Sequence, residues 1–321
     1  MISVRRRAEG AWGALLLAVA GWALACSHPV PVEKVKASVT LGEPDRFYES
    51  GAPIPLSASV YNPTPVGIDL GTTLLDGTAL EIVDSHGEPL RNSRAVPPPP
   101  APPTLPPGHR VKLPIDPASQ FPGLARPGKY RLTAVYPLFR SNVIELRILP
   151  AFSREIEYRA RVVTSVGQFV LGFFPDVAPQ HVRNFINLAR SGFYDRNLIY
   201  RVVPGQLIQT GDPTGTGQGG PGYTIKAEFN HRPHVRGTLS MARQRWEPDS
   251  AGSQWFICLD RVPEWDGQYT VFGQVLEGME VVERIGNAEV RKESEVPVHP
   301  VLIRHVTILE TDRSRGAGQA E

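Results

Sequence analysis

The chain has 321 residues, 41% hydrophobic and 21% charged, which at about 150 residues per domain gives two domains with enough apolar mass for ordinary cores. Its formal charge of +2 vanishes once Arg5, Arg6, Arg7 and Glu9 are set aside, so the body of the chain carries no electrostatic footprint for nucleic acid or an anionic surface. Two cysteines exclude a disulfide framework and a cysteine-rich zinc site, and 32 prolines with 30 glycines, in no Gly-x-y period, mark turns and linkers.

Residues 11–25, AWGALLLAVAGWALA, form an apolar run behind the arginines. The run has signal-peptide length and is short for a bilayer span. Cys26 follows Ala25, and the segment resembles a bacterial lipoprotein signal in which that cysteine is lipidated and becomes the first mature residue. Ala23 departs from the leucine usual there. The expectation is a signal and lipidation segment over 1–26 and a tether over 27–37. The protein is then extracytoplasmic and membrane-anchored, on the periplasmic face or in the cell envelope. The alternatives are ordinary secretion with nearby cleavage, or an uncleaved anchor. The arginines fit a twin-arginine signal poorly. Cys258, inside WFICL, reads as a small buried residue.

Over 38–150 the segments VKASVTL, PLSASVY, ALEIVD, RVKLPI, KYRLTAVYPL and NVIELRIL read as short strands between Gly/Pro/Asp/Asn clusters. Six or seven such strands predict a β-sandwich, with PGKYRLTAVY resembling late strands of immunoglobulin-like domains. The run PPPPAPPTLPP over 97–107 predicts an extended polyproline II surface loop.

From 154 the texture changes. REIEYRARVVTS and GQFVLGFF predict a hairpin turning near Ser165–Gly167. Val182, Phe185, Ile186 and Ala189 fall at i, i+3, i+4 and i+7, an amphipathic helix with Pro179 at its start and Gly192 as its stop. LIYRVV, QLIQTG, GTLSMA, SQWFICL and TVFGQV predict strands, EGMEVVERIG a second helix with Met279, Val282 and Ile285 on one face, and VLIRHVTILE a last strand. Eight or so strands and two helices predict a closed antiparallel barrel capped by helices over 154–311, followed by a disordered tail over 312–321.

No Gly-x-Ser-x-Gly, His-Glu-x-x-His or P-loop is present. GTGQGG at 215–220 lacks the following Lys-Ser/Thr and reads as a flexible loop. Glu228, His231 and His234 have metal-ligand residue types but lie in a proline-containing loop without helical register, so no metal is expected there. The unusual segments concentrate between 198 and 273: LIYRVVPG, QLIQTGD, GTLSMAR, AGSQWFICL and GQYTVFGQV. With the helix APQHVRNFINLARSGFYDR before them, in order, they resemble the cyclophilin family of peptidyl-prolyl isomerases over roughly 155–311.

The resemblance implies an eight-stranded antiparallel barrel with two capping helices, a shallow groove for Xaa-Pro in an extended peptide, and no metal or cofactor. Arg201 matches the catalytic arginine. Gln209 matches the glutamine that holds substrate and orients that arginine. Phe256 matches the base of the proline pocket, and Leu207 its wall. Ala242 and Arg243 match the pair lining the groove, and Gln254 another groove glutamine. Gln206 stands where a phenylalanine is frequent. An ungapped count from Phe256 puts Glu264 at the frequent tryptophan and Trp265 at a leucine, and a one-residue slip restores the tryptophan. Tyr269 replaces a frequent histidine, and RQRWEPD at 243–249 is about one residue long.

The resulting expectation is a mainly β, monomeric, membrane-tethered isomerase acting on proline-containing polypeptide clients and not on nucleic acid, its N-terminal sandwich a spacer or client-binding module. The alternative is a non-catalytic proline-peptide binding or scaffold lipoprotein, motivated by Gln206.

Overall fold

A computed structural model describes residues 36–41, 47–69, 80–93, 104–136, 139–291 and 293–312. The N-terminal part contains β1 (Lys36–Leu41), β2 (Tyr48–Glu49), β3 (Leu56–Tyr61), β4 (Ile68–Asp69), β5 (Leu80–Asp84), β6 (Thr104–Leu105), β7 (Arg110–Ile115), the single-turn helix α1 (Pro117–Gln120), β8 (Gly128–Tyr136), β9 (Phe139–Arg140) and β10 (Ile144–Leu149). Among the described residues, each of the six segments read as strands contains a strand. On β3 the apolar residues Leu56, Ala58 and Val60 fall at every second position and are buried, and Ser59 between the last two is buried as well, as fits the middle strand of its sheet.

These strands form a three-stranded sheet, β1-β3-β7, and a five-stranded sheet, β2-β10-β8-β5 with β9 on β8. Pro114 lies on β7, an edge strand, where its missing N–H breaks no ladder. Ile54, Leu56, Ile82, Leu132, Leu146 and Ile148 belong to one buried cluster that Ile115 of β7 also touches, so both sheets share a core. One pairing in these sheets is parallel, that of β2 with β10. Two-residue strands carry too few residues to show a period, which is why β2, β4, β6 and β9 escape a sequence reading.

The C-terminal part contains β11 (Ile156–Thr164), β12 (Gly167–Phe173), α2 (Pro179–Arg190), β13 (Arg201–Val203), β14 (Leu207–Thr210), β15 (Thr238–Met241), β16 (Trp255–Cys258), β17 (Thr270–Glu277), α3 (Met279–Gly286) and β18 (Ile303–Asp312). Eight strands make one antiparallel sheet in the order β13-β14-β16-β15-β17-β12-β11-β18. The expected barrel is not closed by a ladder. The sheet curls, and the seam between its edges is stitched by the Leu198–Leu302 bridge and the bonds Ile199 N to Val301 O (2.9 Å) and Arg196 N to Ile303 O (2.8 Å).

Helix α2 buries Val182, Phe185, Ile186 and Ala189, the predicted stripe, against Tyr194, Trp255 and Phe272. Each large apolar side chain contributes roughly 1.5–3 kcal/mol of transfer free energy. Gly192, at φ +74°, ends the helix, its N–H donating to Ala189 O. On α3, Val282 and Ile285 are buried as the spacing predicts.

Glu49 of β2 joins the two parts. Its carboxylate accepts bonds from Arg183 Nε at 2.5 Å and Nη2 at 2.7 Å, from Asn187 Nδ2 at 2.5 Å and from Phe152 N at 3.4 Å. Burial raises the Glu49 pKa, but the Arg183 and Asn187 bonds outweigh it and leave the group below its ordinary value.

The segment 1–26 with Cys26, most of the 27–37 tether, the proline run 97–103 and the tail 313–321 lie outside the described residues. Two boundaries move. Lys36 and Ala37, assigned to the tether, already pair with Tyr61 and Val60 in β1. Thr104 and Leu105, assigned to the polyproline loop, pair with Asp69 and Ile68. Among the described residues no helix is long and apolar enough to cross a membrane.

Candidate functional site

Strand register assembles the site. Arg201 on β13 faces Gln209 on β14, Gln209 faces Phe256 on β16, and Phe256 faces Ser240 on β15. Their chain neighbours Val202, Ile208, Ile257 and Leu239 all lie in the barrel core. With a side-chain period of two, the row Arg201–Gln209–Phe256–Ser240 therefore occupies the opposite, outer face. A second row runs beside it, Val203 facing Leu207 and Leu207 facing Cys258.

Leu207, Phe256 and Cys258 form an apolar cluster of their own, separate from the barrel core, with Val203, Ala242, Trp265 and Tyr269 packed against it. Trp265 meets the Phe256 ring edge-on at 5.2 Å and Tyr269 meets it at 5.7 Å. His234 stacks on Phe256 at 6.0 Å. Its Nδ1 lies 3.1 Å from Asp266 and its Nε2 3.0 Å from Ser240 Oγ. Burial lowers the His234 pKa despite the Asp266 bond, so the ring is a neutral prop under the aromatic group. The Cys258 thiol is pushed up to about 12 by burial and stays protonated.

A polar chain borders this cluster. Arg201 Nε donates to the Glu295 carboxylate at 2.5 Å and Nη1 to Gln209 Oε1 at 3.2 Å. Gln209 Nε2 donates to the Tyr200 hydroxyl and, at 3.2 Å, to Gln254 Oε1. Tyr200 also donates to Gln254 Oε1. Burial, then the Asp212 charge, raises the Tyr200 pKa far above its ordinary value, so its hydroxyl remains a donor. Gln254 Nε2 reaches Gly217 O at 3.0 Å and Gly219 O at 2.9 Å. The glycine loop is itself organised: the Asp212 carboxylate collects the N–H groups of Thr214, Thr216, Gly217 and Gly219 at 2.6–3.1 Å. Burial works to raise the Asp212 pKa, and these bonds more than offset it. A cleft of about 700 Å³ opens between this loop and the 242–254 segment, with Gln209, Ala242, Arg243 and Gln254 in its lining.

The structure thus brings together Arg201, Gln209, Leu207, Phe256, Ala242, Gln254, Trp265 and Tyr269. The tryptophan ambiguity resolves in favour of the slip. Trp265 supplies the ring against Phe256, and Glu264 points its residue to solvent. Gln206 does not join the cluster. It is exposed at the β13–β14 turn, where its N–H bonds Val203 O and its carbonyl accepts from Leu259 N. Arg243 ties its own loop to the segment carrying Tyr269, donating to Gln244 O and Arg245 O on one side and to Gln268 O on the other and lying 4.9 Å over the Tyr269 ring.

The candidate metal-ligand types are dispersed. Glu228 bonds His181 Nδ1 at 2.7 Å and receives the Gln180 and His181 N–H groups at the α2 N-terminus, a role the sequence did not announce because the cap residue is Ala178. His231 is exposed and His234 is fully engaged. Sequence reasoning missed Tyr200, the Ser240–His234–Asp266 support and Glu295. Glu295 had no local signal at all, lying 94 positions from Arg201.

Residues 159–308 match the family model described as cyclophilin type peptidyl-prolyl cis-trans isomerase/CLD. A peptidyl-prolyl cis-trans isomerase of Synechococcus elongatus is 44% identical over 133 residues, covering 41% of this chain and 90% of that protein. Peptidyl-prolyl cis-trans isomerase B of Bacillus subtilis is 46% identical over 125 residues, covering 38% of this chain and 86% of that protein. A crystal structure of a cyclophilin type isomerase from Cryptosporidium parvum, determined in the presence of the dipeptide Ala-Pro, is 32% identical with a TM-score of 0.46, covering 48% of this chain and 99% of that one.

Proposed function

The chain belongs to the cyclophilin-type peptidyl-prolyl cis-trans isomerases, and from that premise we propose that its Arg201 guanidinium is the group that stabilises the rotating Xaa-Pro bond. The observation that supports this is the row in which Arg201 and Gln209 stand beside the Phe256–Leu207 cluster on one face of the sheet.

The chemistry needs little more. A peptide bond resists rotation by ~18–20 kcal/mol because its C–N bond has partial double-bond character. At the half-turn that resonance is lost, and the imide nitrogen becomes pyramidal and basic. A fixed cation donating a hydrogen bond there stabilises the twisted state more than either planar one, which is the condition for acceleration. Arginine suits the task because it stays charged and its forked donor can be shared between a positioning partner and the substrate. Phe256, Leu207, Trp265 and Tyr269 offer apolar contact to the pyrrolidine ring while the other half turns. Reaching milliseconds from an uncatalysed time of about tens of seconds requires roughly 10⁴–10⁵-fold, or about 5.5–7 kcal/mol. No nucleophile, general base or cofactor enters the scheme.

The clients proposed are extended or unfolded polypeptides outside the cytoplasm. Arg5–Arg7, the apolar 11–25 run and Cys26 support an exported, lipid-anchored protein. The N-terminal sheets fit a spacer or client-holding role.

A protease-coupled isomerisation assay on Xaa-Pro peptides tests the arginine. Arg201→Ala in the full chain is expected to lower kcat/KM by roughly 10²–10³-fold while leaving the circular dichroism spectrum unchanged. Equal rates for variant and parent reject the assignment. Membrane fractionation tests the anchor: Cys26→Ser should move the protein to the soluble fraction, and unchanged partitioning rejects lipidation at that residue.

A further inference from the structure

The Arg201–Glu295 pair is expected to add little to stability. Both side chains are about 40% exposed, at 40% and 43%, and such pairs contribute little. Yet the backbone holds Glu295 firmly. Its φ of 56° is left-handed, uncommon outside glycine. Its N–H bonds Arg291 O at 3.0 Å, Arg291 N bonds Val296 O at 2.9 Å, and Val290 bridges Pro297. Its carbonyl accepts the N–H of Val202 at 2.8 Å. One residue thus grips β13 twice, by its carbonyl at Val202 and by its carboxylate at Arg201. Left-handed backbone at a non-glycine residue, maintained by surrounding bonds, is the kind of strain found at functional sites.

The guanidinium has five donors in one plane. Nη1 is engaged by Gln209 and Nε by Glu295, while among the described residues no hydrogen bond takes Nη2. A single bond from Gln209 leaves the plane free to swivel on a long side chain with several rotatable bonds. A second bond on the adjacent edge removes that freedom. We infer that Glu295 is a positioning residue which, with Gln209, fixes the plane of the Arg201 guanidinium so that Nη2 is presented to the turning imide. This rests on the assignment of Arg201 above. The inference concerns geometry and not charge: a carboxylate beside the cation weakens its field, so an acceptor of equal reach without charge should serve.

Four variants of the full chain decide it: Glu295→Ala, Glu295→Gln, Arg201→Ala and the double variant Arg201→Ala/Glu295→Ala. Glu295→Ala removes the acceptor, and Glu295→Gln keeps an oxygen at the same distance. Parent and variants all carry a Cβ at the same φ, so the backbone demand cancels. Exchange NMR at saturating peptide and the coupled assay separate kcat from KM. Glu295→Ala should lower kcat about tenfold with KM within about twofold, as expected when orientation alone is lost. Glu295→Gln should recover to within about threefold of the parent, and Arg201→Ala/Glu295→Ala should be no slower than Arg201→Ala. The thermal midpoint should move by no more than about 2 °C. The inference is overturned by a Glu295→Ala variant as fast as the parent, by a Glu295→Gln variant as slow as Glu295→Ala, or by a further loss in the Arg201→Ala background. A slow Arg201→Ala beside a normal Glu295→Ala defeats the Glu295 role alone. An Arg201→Ala as fast as the parent defeats the arginine assignment and this inference with it.

Discussion

Replacing Phe256 by alanine removes the ring around which the apolar side of the site is built. The ring is 4% exposed and touches Trp265, Tyr269 and His234 at centroid distances of 5.2, 5.7 and 6.0 Å. A fully buried Phe→Ala change costs about 3–5 kcal/mol, with aromatic pair terms of about 0.5–1.5 kcal/mol each within the lost contacts. Phe256 lies in the small cluster with Leu207 and Cys258 and not in the barrel core, and the half-buried Trp265 and Tyr269 can move toward the gap. The lower end, about 3 kcal/mol, is therefore expected, equivalent to roughly 6–12 °C in the thermal midpoint. On function, the pyrrolidine ring loses an apolar contact of about 1.5–3 kcal/mol, or roughly 10–100-fold in kcat/KM. Phe256→Leu, which keeps most of the volume, should recover most of both. The measurements are a thermal melt and the coupled assay on the same preparations at a temperature where both variants are folded. A folded Phe256→Ala chain with kcat/KM within about twofold of the parent refutes the assignment of this ring to the proline contact.

Glu49→Gln should lower stability to denaturant by about 1–3 kcal/mol, since it weakens four bonds to one largely buried carboxylate while half-exposed Arg183 is partly screened. Because the folded-state pKa of Glu49 lies below its ordinary 4.5, its contribution is complete above that value and is lost as pH falls through the folded one. Glu49→Gln should erase that part of the acid dependence, and an unchanged profile contradicts the assignment. His234 has a lowered pKa, so the unfolded chain takes up the proton first as pH drops below 6.5. Stability should fall there in the parent and be flatter in His234→Gln, as read by melts between pH 7.5 and pH 5, and parallel curves count against a buried neutral ring. Gly211→Ala should fail to yield soluble folded chain, because φ is +90° and a Cβ would lie 2.2 Å from the Ser253 carbonyl oxygen. A soluble variant with parental melting shows that this turn relaxes freely.

Much of the architecture is legible in local pattern. Val182, Phe185, Ile186 and Ala189 announce α2, and the alternation in LSASVY, LEIVD and GKYRLTAVY announces strands, because solvent on one side imposes a period that each segment displays by itself. The order of motifs from Arg201 to Tyr269 also names most of the site. Gln206 and Glu264 show where counting along the chain is insufficient. A turn carries Gln206 out to solvent, and a shift of one residue in the 263–265 turn brings Trp265, not Glu264, onto Phe256.

Local pattern along the chain is enough to say which segments become strands and helices and which side chains are chemically equipped for the reaction. The pairings that emerge only on folding are Glu295 with Arg201, His234 stacked on Phe256, and Glu228 at the N-terminus of α2. Each of these depends on strand register and loop closure between residues tens of positions apart. Those pairings are selected by the free energy of the whole packed sheet, a quantity that no single segment contains.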